Sequence, residues 1–200
     1  MSFSGVSLIK HPILIGNIKA TPLGEVWAAI SSRGLVRVDF GISRTSFERA
    51  VRKQTKSEIE YAPKQVDDSV HQIKEYLTDK RREFDLKIDW SVLTSDFQRD
   101  ALRAVFSIPY GETRTYADIA AQIGHPQAFR AVGRANATNP MPLVIPCHRV
   151  IGTDGKLHGY GGKGGLKTKA WLLKMEGAEV PWKSVAMVFP KSHTSLQTKP

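Results

Sequence analysis

The chain has 200 residues, 41% of them hydrophobic, which is enough for one large domain or two small ones with ordinary cores. No apolar run approaches the roughly 18 residues of a membrane-spanning helix, and the N-terminus lacks a secretory signal. We therefore expect a soluble protein of the cytoplasm, or of the nucleus in a eukaryote. The single cysteine, Cys147, excludes an internal disulfide and a cysteine-based zinc cluster, so we expect a free thiol.

Basic residues outnumber acidic ones by 29 to 19, which gives a formal charge of +10 and a pI near 9.8. The excess is concentrated near the cysteine, because residues 126–175 contain eight lysines and arginines against one acid, Asp154. Such a distribution predicts an anionic partner. A basic face that serves only solubility is the alternative that charge leaves open.

The first ninety residues have the pattern of alternating strands and helices. Residues 13–20 predict a strand, and the alternation in residues 26–30 and 36–40, around a turn at 31–34, predicts a hairpin. An apolar stripe from Val66 to Leu77 predicts a helix. Alternation in residues 84–90 predicts a half-buried strand. This half contains no catalytic cluster.

From Ser95 onward the pattern becomes helical. Ser95 begins a helix that ends before residue 109, and Thr115 begins a second helix over residues 116–123. Pro126 predicts the start of a third helix, which runs to about residue 138 and carries Arg130 and Arg134 on one face. The last two helices, joined by a tight turn, predict a helix-turn-helix. A helical subdomain with surface arginines is the alternative.

The run Ile145-Pro146-Cys147-His148-Arg149-Val150 is the candidate nucleophilic site. The preceding residues 141–146 predict a stiff, extended, buried segment. Adjacent side chains on a strand point to opposite faces, so we expect His148 to reach the thiol through a water molecule rather than directly. A histidine base needs a carboxylate on its other nitrogen; Asp154 and Glu176 are candidates, and Glu176 is favoured. A buried cysteine that only fills the core is the alternative.

Several ordered motifs then identify a family. The run IPCHRVIG is preceded by RAVGRANATNP and IPYGETRTYADIA and followed by GY, WLL and MEG. Together they resemble the O6-alkylguanine-DNA alkyltransferases, also called methylated-DNA–protein-cysteine methyltransferases. The similarity covers residues 97–177, and TPLGEVWAAISSRGLVRVDFG resembles the N-terminal domain of the same family.

The resemblance implies direct DNA repair, and we expect no cofactor. Some members of the family carry a zinc site built from cysteines in the N-terminal half, but this chain has only Cys147, so we expect no such site here. A flipped-out guanine in double-stranded DNA would present its O6-alkyl group to Cys147, and the alkyl carbon would move to the sulfur. His148 would relay the thiol proton, Glu176 would orient His148, and Tyr116 would hydrogen-bond the departing guanine. Because this chain has no second thiol, the product would be permanent and each molecule would act once.

By the same resemblance, Arg130 would fill the gap left in the duplex, and further contacts to DNA would come from Arg134, Ala131, Gly133 and Thr115. Asn139 would act as a hinge, and the backbone near Val150 and Gly161 would read the base edge. Tyr160 and Pro142 would complete the substrate site. The glycine run at residues 159–165 is about two residues longer than the family spacing.

We expect a two-domain α/β (α+β) protein that acts as a monomer. Residues 1–91 would form a support domain with a small sheet and helices, and residues 92–190 a mainly helical domain for DNA binding and alkyl acceptance. Residues 191–200 would be a disordered tail. Two rivals are a lesion-binding protein without chemistry and a cysteine hydrolase. The presence of Cys147 argues against the first, and the second would require turnover and an oxyanion site.

Overall fold

The N-terminal half is built on a four-stranded sheet in the computed structural model, which describes residues 11–179. Strands β1 (Ile13–Thr21), β2 (Gly24–Ser31) and β3 (Gly34–Phe40) are antiparallel neighbours. Strand β4 (Ile59–Tyr61) pairs with β1 in parallel, so the order across the sheet is β3-β2-β1-β4. The predicted first strand and hairpin are confirmed.

Helix α1 (Arg44–Thr55) covers one face of the sheet and was not predicted from the sequence. The Ser43 side chain caps its first turn, and Phe47 and Val51 project from it into a cluster with Ile13, Trp27 and other sheet residues. Only these two helix residues are buried, so the apolar stripe is too short to stand out from a polar background.

Helix α2 (Pro63–Leu77) covers the opposite face and confirms the predicted stripe. It crosses β1 at Gly16, where an added Cβ would lie 2.9 Å from Val66 Cβ and 3.1 Å from Pro63 Cα. Ile15 points toward α1, so its neighbour Gly16 faces the other way, as strand geometry requires. The absence of a side chain at Gly16 lets helix and strand approach closely.

The strand predicted at residues 84–90 is wrong as a regular element. This segment meets the sheet through one isolated bridge, between Leu35 and Ile88. Asp89 then ends the pairing: its buried carboxylate accepts hydrogen bonds from Ser31 and Ser91, and the chain enters a 3-10 turn at Trp90–Val92. Apolar and polar side chains alternate here because the segment is extended. The hydrogen bonds that Ser31 and Ser91 donate to Asp89 end its pairing with the sheet.

The C-terminal half is mainly helical. Helix α3 (Asp96–Phe106) begins at Ser95, whose hydroxyl accepts a hydrogen bond from Gln98 N as predicted. The remaining elements are β5 (Arg114–Thr115), α4 (Tyr116–Gln122), α5 (Phe129–Ala137), β6 (Val150–Ile151) and α6 (Leu166–Met175). Strands β5 and β6 pair in parallel. The predicted closing helix is confirmed at α6.

Helices α4 and α5 have the order and spacing predicted for a helix-turn-helix. Thr115 and Asp118 form a full capping box at the start of α4. At its end, His125 N donates to Ala120 O while Gly124 takes a φ of +76°, which is a Schellman ending. Helix α5 begins at Phe129, three residues later than predicted, because Ala128 N donates to His125 O and residues 125–128 complete the turn.

Residues 140–144 leave the helical half. By chain contacts, residues 11–99 group with Pro140–Val144, and Asp100–Asn139 group with residues 145–179. The segment is buried as predicted, but it is not extended throughout, because Leu143 has a φ of +76°. Between residues 11 and 179, no helix is both long and apolar enough to cross a bilayer. The predicted tail at residues 191–200 lies outside the described residues.

We expect Gly16→Ala to lower the free energy of unfolding by about 1–3 kcal/mol, because the new methyl group would overlap Val66 and push α2 from β1. Chemical denaturation measures this change. Gly159→Ala is the matched control, since nothing lies within 4 Å of a Cβ there. Equal stability of the two variants would contradict the close approach.

Candidate active site at Cys147

The candidate nucleophile lies at the start of a single 3-10 turn, Cys147–Arg149. Cys147 N donates to Ile145 O and Arg149 N donates to Pro146 O, both at 2.8 Å. The sequence suggested an extended strand here, in which neighbouring side chains point to opposite faces. Because Cys147 and His148 lie in a turn rather than a strand, their side chains need not point to opposite faces. The relay of the proton through a water molecule stays a prediction.

Cys147 is buried, with 6% of its surface exposed. Burial raises the pKa of its thiol above the ordinary value, while a hydrogen bond from the Asn139 side chain and the charge of Lys169 act in the opposite direction. Burial dominates, so the thiol is protonated at neutral pH. A reaction at this sulfur therefore needs a base that takes the proton.

The base candidate is held by a buried ion network. His148 Nε2 lies 2.8 Å from Glu176 Oε1, and Arg149 donates to both oxygens of the same carboxylate at 2.9 Å. Arg149 also donates from Nη1 to Ile108 O at 2.6 Å. All three side chains are buried. Glu176 therefore fixes the orientation of His148 and balances the guanidinium charge.

The network sets the protonation states. Burial lowers the pKa of His148, and Glu176 offsets this only in part, so the imidazole is neutral near pH 7 and can accept a proton. Burial alone would raise the pKa of Glu176, but the hydrogen bonds from His148 and Arg149 and the charge of Arg149 outweigh burial and hold this pKa well below its usual range. Glu176 is thus ionised.

Asp154, the other candidate for the carboxylate partner of His148, lies outside this network. It accepts a hydrogen bond from Lys156 N at 3.0 Å and contacts His158 at 3.3 Å in an exposed turn. The predicted preference for Glu176 as the partner of His148 agrees with the observed contact. Among residues 11–179, no three His, Cys, Asp or Glu side chains are grouped so that they could hold a metal ion.

A cavity of about 880 Å³ lies between the glycine-rich loop and the helix-turn-helix, and Tyr116 and Tyr160 both line it. Burial, and next the charge of an ionised Cys147, raise the pKa of Tyr116 to about 12. The same two effects lead the shift that raises the pKa of Tyr160 well above its usual value. Within the described part of the chain, the buried Tyr160 hydroxyl has no hydrogen-bond partner.

The residues predicted to bind DNA lie on or beside α5. Arg130, Ala131 and Arg134 are exposed on this helix. Gly133 is partly buried, and a Cβ there would lie 3.9 Å from the Tyr116 ring. Thr115 caps α4, so its hydroxyl already accepts the Asp118 N–H. Arg130 and Gly133 also line the cavity.

The residues predicted to contact substrate are spread over several segments. Asn139 Nδ2 donates to Ile145 O at 2.9 Å, which ties the end of α5 to the segment before the cysteine. Gly161 lines the cavity, and a Cβ there would lie 3.0 Å from Ala137 O, so the loop passes tightly along α5. Val150 is fully buried. Pro142 is buried in the segment that groups with the N-terminal unit.

Sequence reasoning missed Lys169. Its ammonium is buried and donates to Val150 O at 2.6 Å and to His158 O at 3.0 Å, which joins β6 to the loop that carries Tyr160. Burial lowers its pKa to about 8, against the favourable effect of an ionised Cys147. One signal was present in the sequence: Lys169 falls among the buried positions of an otherwise apolar helix face.

We expect Glu176→Gln to lower the free energy of unfolding at pH 7 by about 3–5 kcal/mol, because the buried Arg149 loses its counter-charge. The pKa values of Glu176 and His148 are lowered from ordinary values of 4.5 and 6.5, so the unfolded chain binds the extra protons. Wild-type stability should therefore fall as the pH drops through 6.5 and then 4.5, and the variant should lack the second loss.

Denaturant titrations at several pH values measure both effects. Glu112→Gln is the control, because Glu112 pairs with Arg114 at 2.8 Å in an exposed position where such a pair contributes at most about 1 kcal/mol. A Glu176→Gln protein as stable as this control would contradict the buried network.

We expect Lys169→Met to slow methylation of Cys147 by iodomethane at pH 7 severalfold, because loss of the nearby cation raises the thiol pKa and so lowers the fraction of reactive thiolate. Quantification of the S-methylated peptide measures the rate. Lys174→Met removes an exposed charge from the same helix and should leave the rate unchanged. Equal rates for the two variants would show that Lys169 does not act on the thiol.

Both halves of the chain match known proteins. Residues 15–90 match the family model for the 6-O-methylguanine DNA methyltransferase, ribonuclease-like domain, and residues 96–178 match the model for the DNA binding domain of the same proteins. A methylated-DNA–protein-cysteine methyltransferase of Methanosarcina barkeri is 41% identical over 160 residues, which is 80% of this chain and 95% of the relative. One of Mycolicibacterium paratuberculosis is 51% identical over 113 residues, 56% of this chain and 66% of the relative.

The fold is also similar to solved structures. The crystal structure of Mycobacterium tuberculosis OGT in complex with DNA superposes with a TM-score of 0.68 and 36% identity, covering 82% of this chain and 92% of that one. The Mycobacterium tuberculosis O6-methylguanine methyltransferase gives a TM-score of 0.67. The α/β fold inferred from the sequence is confirmed. Both halves match one family in the expected order, and the chain therefore belongs to the 6-O-methylguanine DNA methyltransferase family.

Proposed function

We propose that this protein repairs O6-alkylated guanine in double-stranded DNA by transferring the alkyl group to its own Cys147. The observation that carries the proposal is the buried thiol beside the His148–Glu176–Arg149 network in a chain of this family. Support also comes from the Mycobacterium tuberculosis OGT, whose crystal structure is a complex with DNA.

The proposed reaction moves the alkyl group from guanine O6 to the Cys147 sulfur and the thiol proton to His148. His148, neutral at pH 7, takes the thiol proton through a water molecule, and the sulfur lone pair forms a bond to the alkyl carbon. The bond from that carbon to O6 breaks, and its electron pair goes to the base. A proton returned from the protein neutralises the base, so guanine and an S-alkylated Cys147 are the products.

Tyr116 is the proposed donor to the departing guanine. Because its pKa is raised to about 12, the phenol keeps its proton through the physiological range and can donate a hydrogen bond where negative charge develops. The Tyr160 hydroxyl is the second candidate contact in the cavity. The Val150 carbonyl already accepts from Lys169, so its other lone pair would be the one that binds the base edge.

The remaining substrate roles follow the same geometry. Gly161 would bring its backbone to the base, and its close approach to Ala137 O supports a position that tolerates no side chain. Asn139 would hold α5 and the cysteine segment together through its bond to Ile145 O. Pro142 would support that segment from within its buried run.

A base within the stack is out of reach of a buried thiol, so we propose that the alkylated guanine is flipped out of the duplex. Arg130 would occupy the vacated space, and Arg134, with the backbone near Ala131, Gly133 and Thr115, would contact the flanking DNA. The exposure of both arginines on α5 supports this assignment. Small residues between them leave room for a close approach by DNA.

We also propose that one polypeptide suffices, because nucleophile, base and DNA-binding helices all belong to one chain. Reaction would be stoichiometric, since a thioether is a poor leaving group and the sequence contains no second cysteine to displace it. A free, reduced thiol suits the cytoplasm, or the nucleus of a eukaryotic cell.

We expect the intact mass of the wild-type protein to increase by one CH₂ after incubation with excess duplex DNA that contains O6-methylguanine, with the methyl group mapped to Cys147. Cys147→Ser should gain nothing, because its hydroxyl is a far weaker nucleophile, yet should still bind the duplex. Mass spectrometry and a gel-shift titration measure these outcomes. DNA binding without an adduct in the wild type would support a lesion-binding protein, and repeated turnover would support a hydrolase.

A further inference from the structure

The outward side of α5 carries one large apolar side chain among small and basic ones. Phe129, Gly133 and Ala137 recur every four residues, and Arg130 and Arg134 lie beside them. Phe129 is 43% exposed, although most large hydrophobic residues in the described part of the chain are buried. Its exposed ring leaves apolar surface in water, which nothing in the packing of α5 requires.

Phe129 stands where the cavity meets the basic surface. Its side chain lines the cavity together with Tyr116 and Tyr160. On its other side, the Arg130 guanidinium lies 5.8 Å from the centre of the Phe129 ring, within the range of a cation–π contact. The ring therefore borders both the space proposed for the everted base and the side chain proposed to replace that base.

We propose that Phe129 enters the opened base step together with Arg130. Its ring would stack on the base next to the lesion when the alkylated guanine leaves the duplex. The inference rests on the proposed function and adds a DNA contact to it. Proteins that unstack bases commonly insert an apolar side chain at the opened step, and an aromatic ring can replace part of the lost stacking. Arg130 supplies charge at that step, and Phe129 supplies apolar area.

The neighbouring residues favour DNA as the occupant of this surface. Arg130 and Arg134 give it a positive charge that matches phosphates. Gly133 and Ala137 continue the Phe129 stripe with minimal side chains, so a sugar–phosphate strand could lie close to the helix. Tyr116 and Tyr160 provide the inner contacts for the everted base itself, which leaves the outer ring of Phe129 for the flanking base.

The test compares methyl transfer to Cys147 from two substrates under single-turnover conditions: duplex DNA with O6-methylguanine opposite cytosine, and the free base O6-methylguanine. We expect Phe129→Ala to slow transfer from the duplex by about tenfold, the size expected for loss of one aromatic–base contact. Transfer from the free base should change by less than about twofold, because no base needs to be unstacked. Phe129→Tyr keeps the ring and should retain the duplex rate.

Phe106→Ala is the matched control. Phe106 is a similarly exposed aromatic, at 40%, on α3, and it is not part of the cavity lining. Its removal should leave both rates unchanged. A second comparison adds Phe129→Ala to an Arg130→Ala protein, where a direct DNA contact predicts a further severalfold loss on the duplex.

Base unstacking gives an independent readout. In a Cys147→Ser background, which binds without reacting, the fluorescence of 2-aminopurine placed beside the lesion reports the opened step. Phe129→Ala should change this signal at saturating protein, and Phe106→Ala should not.

Equal losses on duplex and free base would overturn the proposal, because Phe129 would then act only on the everted base. No further loss in the Arg130→Ala protein would also overturn it, since Phe129 would then act through Arg130. Absence of any methyl transfer in the wild type would instead refute the proposed function itself, and an unchanged 2-aminopurine signal in Phe129→Ala would refute the stacking role of Phe129 separately.

Discussion

The structure around Cys147 depends on one buried carboxylate, Glu176. Two side chains share it: His148 through one oxygen and Arg149 through both. A lone carboxylate in this position would take up a proton, but the guanidinium offsets its charge and keeps it ionised. Since Arg149 supplies the balancing charge, His148 is free to stay neutral, which is the state that a proton acceptor needs.

Burial has two opposing effects on the thiol. It excludes water and raises the thiol pKa, so the resting cysteine is protected but weakly nucleophilic. The Asn139 hydrogen bond and the Lys169 charge each reduce the cost of ionising the thiol. Such a site keeps its reactivity for a substrate that enters the cavity beside Tyr116 and Tyr160. This suits a protein whose nucleophile can be used only once.

Helix α5 links an exposed basic surface to the cysteine segment. Its inner residues, Val132 and Ala135 among them, anchor it in the core, while its outer side presents the arginines and Phe129. Its last turn leads to Asn139, whose amide binds Ile145 O two residues before the cysteine. A short, hydrogen-bonded path therefore joins α5 to the segment that holds the thiol.

The sequence by itself determined the elements whose signals are local. The capping box at Thr115, the apolar stripe of α2, the hairpin and the Pro-Cys-His-Arg run can each be recognised within a few residues, because capping, periodicity and proline stiffness are short-range effects. The ordered motifs likewise identified the family.

Only the tertiary structure decided what depends on distant residues. Arg149 and Glu176, 27 positions apart, pair in the core. In the sequence Lys169 resembles any other lysine on a helix. In the folded protein its ammonium donates to Val150 O and His158 O. Asp89 ends an apparent strand because Ser31 lies against it. In each case a buried polar group must find a partner away from water, and that partner is set by how the chain packs rather than by its neighbours in sequence.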